Sequence, residues 1–203
     1  MLRSISIRLM LLLCCALIVG ADAARAEFNF LQTHQIDPDT RQPIGPRGPG
    51  GVYVVPIPRT TVLFDGKRYK PGEVIIKTAE RRLYYVLDDY RAIRYGIGVG
   101  RVGFTWSGVK SVSQKREWPD WAPPEQMLKR RPDLPRYMRG GENNPLGARA
   151  IYLGSTLYRI HGSNEPETIG QAVSSGCFRM VNEDVIDLYN RVKVGTVVHV
   201  LQK

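Results

Sequence analysis

Between Thr61 and Gly100 the chain is cut into apolar runs too short to be helices. "TVLF", "EVIIKT" and "RLYYVL" are rich in β-branched and aromatic residues, and Asp65-Gly66, Pro71-Gly72 and Asp88-Asp89 punctuate them. A globular helix needs three turns to bury a useful stripe, whereas a strand needs only a handful of residues with a turn at each end. This stretch therefore predicts β-structure, and "VYVV" just before it reads the same way. The continuation, "YRAIRYGIGVG", ends in glycines that suit a bulge or a close backbone approach.

Residues 118–147, "WPDWAPPEQMLKRRPDLPRYMRGGENNPLG", break the pattern with prolines, two tryptophans and one short helical candidate, Pro124 to Arg130. Their aromatic and Met residues require burial, so the segment is expected to be an ordered excursion. The residues leave open whether it is a lid over a site or a packed surface loop. After it, "AIYL" and "TLYRIHG" predict a hairpin turning at Gly154-Ser155. "NEDVIDLYNRV" predicts a helix with Asn182 as N-cap, Glu183 and Asp184 in its first turn, and Val185, Ile186, Tyr189 and Val192 on one apolar face. "GTVVHVLQ" predicts a closing strand in which His199 is structural, while His34 falls in a polar stretch. The domain expected over 52–203 is mainly β, with one or two short helices.

The N-terminus has the form of an export signal. Arg3 and Arg8 precede the apolar run Leu9 to Gly20, and "ADAARA" offers small-residue cleavage sites after Ala23 or Ala26. The run is shorter than the roughly 20 residues that span a bilayer, so residues 1–26 are expected to be removed, leaving no integral span. Residues 27–51, rich in Pro and Gly, cannot bury much and form a polar lead. The expected address is the periplasm or cell envelope. The net charge of +10 is scattered and no nucleic-acid-binding motif accompanies it. A basic protein at that address fits an anionic, carboxylate-rich polymer.

With Cys14 and Cys15 in the leader, Cys177 would be the one cysteine of the mature chain. An internal disulfide is then excluded, leaving an inert buried thiol, an intermolecular bridge or a nucleophile. Alternation along "LYRIH" puts Leu157, Arg159 and His161 on one face, and an extended "CFRM" puts Cys177 beside Arg179 with Phe178 and Met180 in the core. A neighbouring imidazole or positive charge would raise the thiolate fraction. Gly176 exposes the N–H groups of Ser175, Gly176 and Cys177 as oxyanion donors. A backbone carbonyl near Gly162 could orient the imidazole, since no acidic partner is evident. Arg179 would either pair with Glu183 or Asp184 or grip a substrate carboxylate. Trp106, Trp118, Trp121 and Tyr95 could line the cleft, but aromatics are more often core, and none is counted among the site residues. Dispersed histidines lack metal-ligand spacing, so no metal and no cofactor are expected.

"YRIHG", "TIGQAVSSGCFRMVNEDVIDLY" and "VGTVVHV", with "RYGIGVGR", "EWPDW" and "NPLGARAIYLG", resemble the catalytic domain of the L,D-transpeptidases, the YkuD-like family, over about residues 72–202. The resemblance implies an L,D-transpeptidase-like β-sandwich, with Cys177 as nucleophile, His161 as base and Gly162 as its backbone partner. Ser174, Ser175, Gly176 and Arg179 would shape the site. It also implies a peptidoglycan stem peptide as acyl donor and an amine acceptor, either a second stem or a wall-anchored lipoprotein. Two alternatives share these residues: a hydrolase (L,D-carboxypeptidase or endopeptidase) and a non-catalytic peptidoglycan-binding module. One departure stands out: many members carry histidine where this chain has Ser175, which would leave all base chemistry to His161.

Overall fold

The computed structural model describes residues 57–203, together with the backbone of Gln35–Ile36 and Pro43–Ile44. The chain divides into two units, residues 1–44 and 45–203. In the first, β1 (Gln35–Ile36) pairs antiparallel with β2 (Pro43–Ile44). The expected leader, most of the polar lead, "VYVV" and His34 lie outside the described residues.

The second unit is mainly β. Its strands are β3 (Thr60–Leu63), β4 (Val74–Lys77), β5 (Arg82–Val86), β6 (Arg91–Gly96), β7 (Val99–Gly100), β8 (Gly108–Glu117), β9 (Arg149–Leu153), β10 (Arg159–His161), β11 (Ala172–Ser174), β12 (Phe178–Arg179) and β13 (Val197–Leu201). Among the described residues two α-helices accompany them, α1 (Glu125–Arg130) and α2 (Asn182–Arg191). Nine strands join in the order β12-β10-β9-β8-β13-β4-β5-β6-β3, and β11 pairs with β7 separately.

The sheet folds on itself through β8. Its first residues pair with β13, from Gly108 to Ser111, and its last with β9, from Val112 to Glu117, with a register shift between Val112 and Gln114. A shift of this kind bends a strand and adds twist. One apolar core then takes Val74, Ile76, Leu83 and Tyr95 from one half and Ile151, Leu153, Ile160 and Phe178 from the other. Burying each such side chain contributes about 1.5–3 kcal/mol. A smaller cluster of Ile75, Tyr84, Val86 and Ala92 covers the outer face of the β4–β6 meander.

Two local expectations change, and one strand appears that the sequence did not announce. The β9–β10 hairpin has a longer loop than the two-residue turn at Gly154-Ser155, because Thr156 Oγ1 donates to Leu153 O at 2.6 Å and accepts from Tyr158 N at 3.2 Å. Asn182 does not cap α2: it is the first helical residue, preceded by Val181, and its Oδ1 accepts the Ala148 N–H at 2.9 Å. β8 carries no alternating pattern in the sequence because most of its side chains face solvent, with Val112 the buried exception. His199 packs as a structural residue, 2.8 Å from Glu73 Oε2 and edge-on to the Tyr69 ring.

Candidate active site

β10 and β12 lie side by side and parallel, with Ile160 opposite Phe178 and His161 opposite Arg179. Phe178 and Met180 are fully buried, which anchors the inner face of the strand and turns its other face outward. One step back along the register, Cys177 comes beside Arg159. His161, Arg159, Ser175 and Cys177 line one cavity of about 340 Å3, within the range of small-ligand sites.

His161 is buried, and its Nδ1 lies 2.6 Å from Gly162 O. A carbonyl only accepts, so Nδ1 holds the proton and Nε2 keeps its lone pair. Burial drives the imidazole pKa down to about 3; the Gly162 bond opposes this, and the charges of Arg179 and Arg159 add to the lowering. Burial also pushes the Cys177 thiol above its ordinary value, against the favourable influence of Arg159 and Arg179. The resting pair is therefore neutral, not the thiolate with imidazolium that the bare sequence invites. The Cys177 thiol donates to Leu157 O, with Sγ 3.6 Å from that oxygen.

The loop before Cys177 is held by its neighbours. Gly176 has φ +105°, and a Cβ there would meet Tyr158 Cε1 at 2.6 Å. Trp106 stacks on Tyr158 with centroids 4.5 Å apart and donates from Nε1 to Gly176 O at 2.9 Å. Ser174 is buried: its hydroxyl donates to Cys177 O at 2.6 Å and accepts the Gly176 N–H at 3.2 Å. The Gly176 N–H is thus committed, leaving Ser175 and Cys177 among the expected oxyanion donors. Arg179 does not line the cavity. It bonds Glu165 Oε2 at 2.7 Å and Thr168 Oγ1 at 3.3 Å, rather than Glu183, Asp184 or an open pocket.

The excursion at 118–147 supplies the opposite wall. Trp121, Pro124, Gln126, Met127, Arg130 and Leu146 face the cavity. Its base is clasped by buried Asn144, whose Nδ2 donates to the carbonyls of Pro119, Met138 and Arg139 and whose Oδ1 accepts from Leu146 N. Trp121 and Met138 exchange backbone hydrogen bonds at 2.8 Å each way. Of the aromatic candidates, Trp121 alone lines the cavity; Tyr95 is core, bonded to Asp187 at 2.5 Å. Sequence reasoning did not single out Arg159, which lines the cavity, or Asn144, which clasps its wall, although alternation placed Arg159 on the face of His161.

Among the described residues no group of three or more His, Cys, Asp or Glu side chains has the geometry to hold a metal ion, and no helix is long and apolar enough to cross a membrane. The YkuD family model, described as the L,D-transpeptidase catalytic domain, matches residues 71–200. "Probable L,D-transpeptidase ErfK/SrfK" of Escherichia coli (strain K12) is 36% identical over 72% of this chain and 48% of its own length. The chain spans about half the length of the curated relatives it matches first. The catalytic domain of an E. faecium L,D-transpeptidase acylated by ertapenem superposes with TM-score 0.51 at 19% identity, covering 66% of this chain and 98% of that one. A Brucella melitensis structure described as a probable carnitine operon oxidoreductase is 47% identical over 69% of this chain and 91% of its own, with TM-score 0.48, too loose a superposition to bear on fold or reaction.

Proposed function

The chain belongs to the L,D-transpeptidase catalytic domain family, and from that premise we propose that it transfers peptidoglycan stem peptides, with Cys177 as nucleophile and His161 as base. The observation that carries this reading is the 2.6 Å bond from His161 Nδ1 to Gly162 O. It fixes the tautomer that leaves the Nε2 lone pair free to accept a proton, in the cavity that Cys177 also lines.

In the proposed reaction the donor is a stem tetrapeptide. His161 Nε2 takes the thiol proton as Sγ attacks the carbonyl carbon at the L-centre of diaminopimelate. The N–H groups of Ser175 and Cys177 stabilise the oxyanion. Collapse breaks the C–N bond, the imidazolium protonates the departing D-alanine amine, and a thioester remains on Cys177. An amine, from a second stem or a wall-anchored lipoprotein, then attacks the thioester, gives its proton to Nε2 and releases the thiol. Because both groups start neutral, the charge pair exists only while the reaction proceeds. No metal or cofactor takes part in these steps.

The apolar run after Arg3 and Arg8 supports an exported protein working at the cell envelope. The test is mass spectrometry of tetrapeptide muropeptides incubated with wild type and Cys177→Ala, with and without added amine. Transfer products from wild type alone are expected. Loss of the terminal residue without amine capture would instead identify a carboxypeptidase, and products unchanged by Cys177→Ala would overturn the nucleophile. Carbapenem treatment is expected to add one drug-derived acyl group to wild type and none to Cys177→Ala.

A further inference from the structure

We propose that Arg159 is a catalytic residue of this site: its guanidinium faces the Cys177 sulfur and holds the thiolate in place of a second imidazole, which Ser175 does not supply. The inference rests on reading Cys177 as the nucleophile. It names a group that neither the sequence motif nor the family likeness singles out.

The geometry carries it. Parallel pairing of β10 with β12 sets His161 opposite Arg179, and the preceding step brings Arg159 beside Cys177. Both line the same cavity. The Arg159 Nε is buried and lacks a hydrogen-bond partner among the described residues. Its guanidinium carbon lies 5.1 Å from the centre of the Tyr152 ring, a contact that positions the group without neutralising it. The other cation near the sulfur, Arg179, is already paired with Glu165. Among the described residues no carboxylate lines the cavity: the charged or titratable groups facing it are Arg130 from α1, Tyr158 from the loop before β10, Arg159 and His161 from β10, and Cys177 itself. Arg130 sits over the Phe104 ring at 5.1 Å.

A fixed cation there has a consequence beyond attracting a thiolate. It attracts the sulfur anion and repels an imidazolium, so it lowers the cost of the first and opposes a standing ion pair with His161. Both the main-chain N–H and the guanidinium of Arg159 favour the thiolate, and its charge disfavours protonated His161. After proton transfer the imidazolium, beside unpaired Arg159, is a strong acid, ready to protonate the leaving amine. Arg159 keeps its own proton throughout.

The test is the pH dependence of Cys177 alkylation by iodoacetamide in the purified protein, for wild type, Arg159→Gln and Arg159→Lys, with circular dichroism confirming the fold. Arg159→Gln is expected to move the midpoint upward by about one pH unit, about a tenfold slower reaction near neutrality, and Arg159→Lys to restore most of the rate. Superimposable wild-type and Arg159→Gln curves would overturn the proposal. Should Arg159→Gln fail to fold, the wild type decides. An unpaired cation beside sulfur makes iodoacetate react faster relative to iodoacetamide than it does with free cysteine, and about 0.5 M salt reduces the excess. A ratio no higher than that of free cysteine refutes the role of Arg159. A folded wild type inert to both reagents refutes the nucleophile itself.

Discussion

Gly162 sits where no other residue fits. A Cβ there would lie 2.2 Å from Asn182 Oδ1 and 3.0 Å from Ala148 N, and that Oδ1 is the acceptor for the Ala148 N–H. The carbonyl that orients His161 is therefore held by packing against the first turn of α2. Gly162→Ala is expected to cost about 3 kcal/mol, a fall in Tm of roughly 6–12 °C by calorimetry. Adding Asn182→Ala removes the obstructing atom, so the double variant should lose less than the sum of the singles. His161 carries a pH signature. Its folded pKa, about 3, lies below the unfolded 6.5, so the unfolded chain alone binds a proton between those values. Its contribution to stability is intact above pH 6.5 and is lost by about 1.4 kcal/mol per unit as pH falls toward 3. His161→Gln should gain on wild type from pH 7 to pH 4 in urea titrations; parallel curves would contradict a buried neutral imidazole. Much of this was legible in the chain. Cys177, His161 and a glycine carbonyl could be named from "YRIHG" and "SSGCFRM". The protonation states could not, because burial sets them and burial belongs to the assembled cavity.

The elements repeat that division. Short β-branched runs announced β3 to β6, and apolar spacing announced α2, because each follows from the period of a local face. β8 was silent, its side chains being largely exposed while its backbone joins both halves of the sheet. The 118–147 excursion, undecided as a sequence, forms a cavity wall because Asn144 ties its two ends together. Asn144→Ala leaves those carbonyls and the Leu146 N–H without their partner. It should cost about 2–4 kcal/mol and raise proteolysis within 118–147 before the rest of the domain opens. A value near zero would show that the clasp is dispensable. On α2, burial raises the Asp184 pKa to about 7, against the pull of Arg59, with Glu183 and Asp187 adding to the rise. The folded state keeps a proton that the unfolded state gives up near pH 4, so stability present below that pH is lost as pH rises through about 7. Asp184→Asn should therefore improve on wild type by on the order of 2 kcal/mol at pH 8 and by little at pH 4; an equal effect at both would refute a protonated Asp184.

At the scale of the whole molecule, net charge is the property most plainly carried by the sequence. The formal charge of +10 falls to +8 once three arginines, Arg3, Arg8 and Arg25, and one aspartate, Asp22, leave with the expected leader. Under the proposed function it would attract carboxylate-rich wall material at long range, screened beyond about 8–10 Å at physiological salt. Sedimentation with purified wall fragments should weaken steeply between about 0.05 and 0.3 M salt, while carbapenem acylation, a contact reaction, should change little. Salt-independent sedimentation would place recognition in the cavity instead. Charge, the short strands β3 to β6, the helix α2 and the Cys–His–Gly set are sums or local patterns, fixed residue by residue. Which arginine faces the sulfur is decided otherwise. Arg159 meets Cys177 only because β10 and β12 pair in parallel at one register, while Arg179 is drawn aside by Glu165 from a separate loop. Register and burial arise between segments far apart in sequence, so the chain named the candidate residues and the fold alone decided their charge.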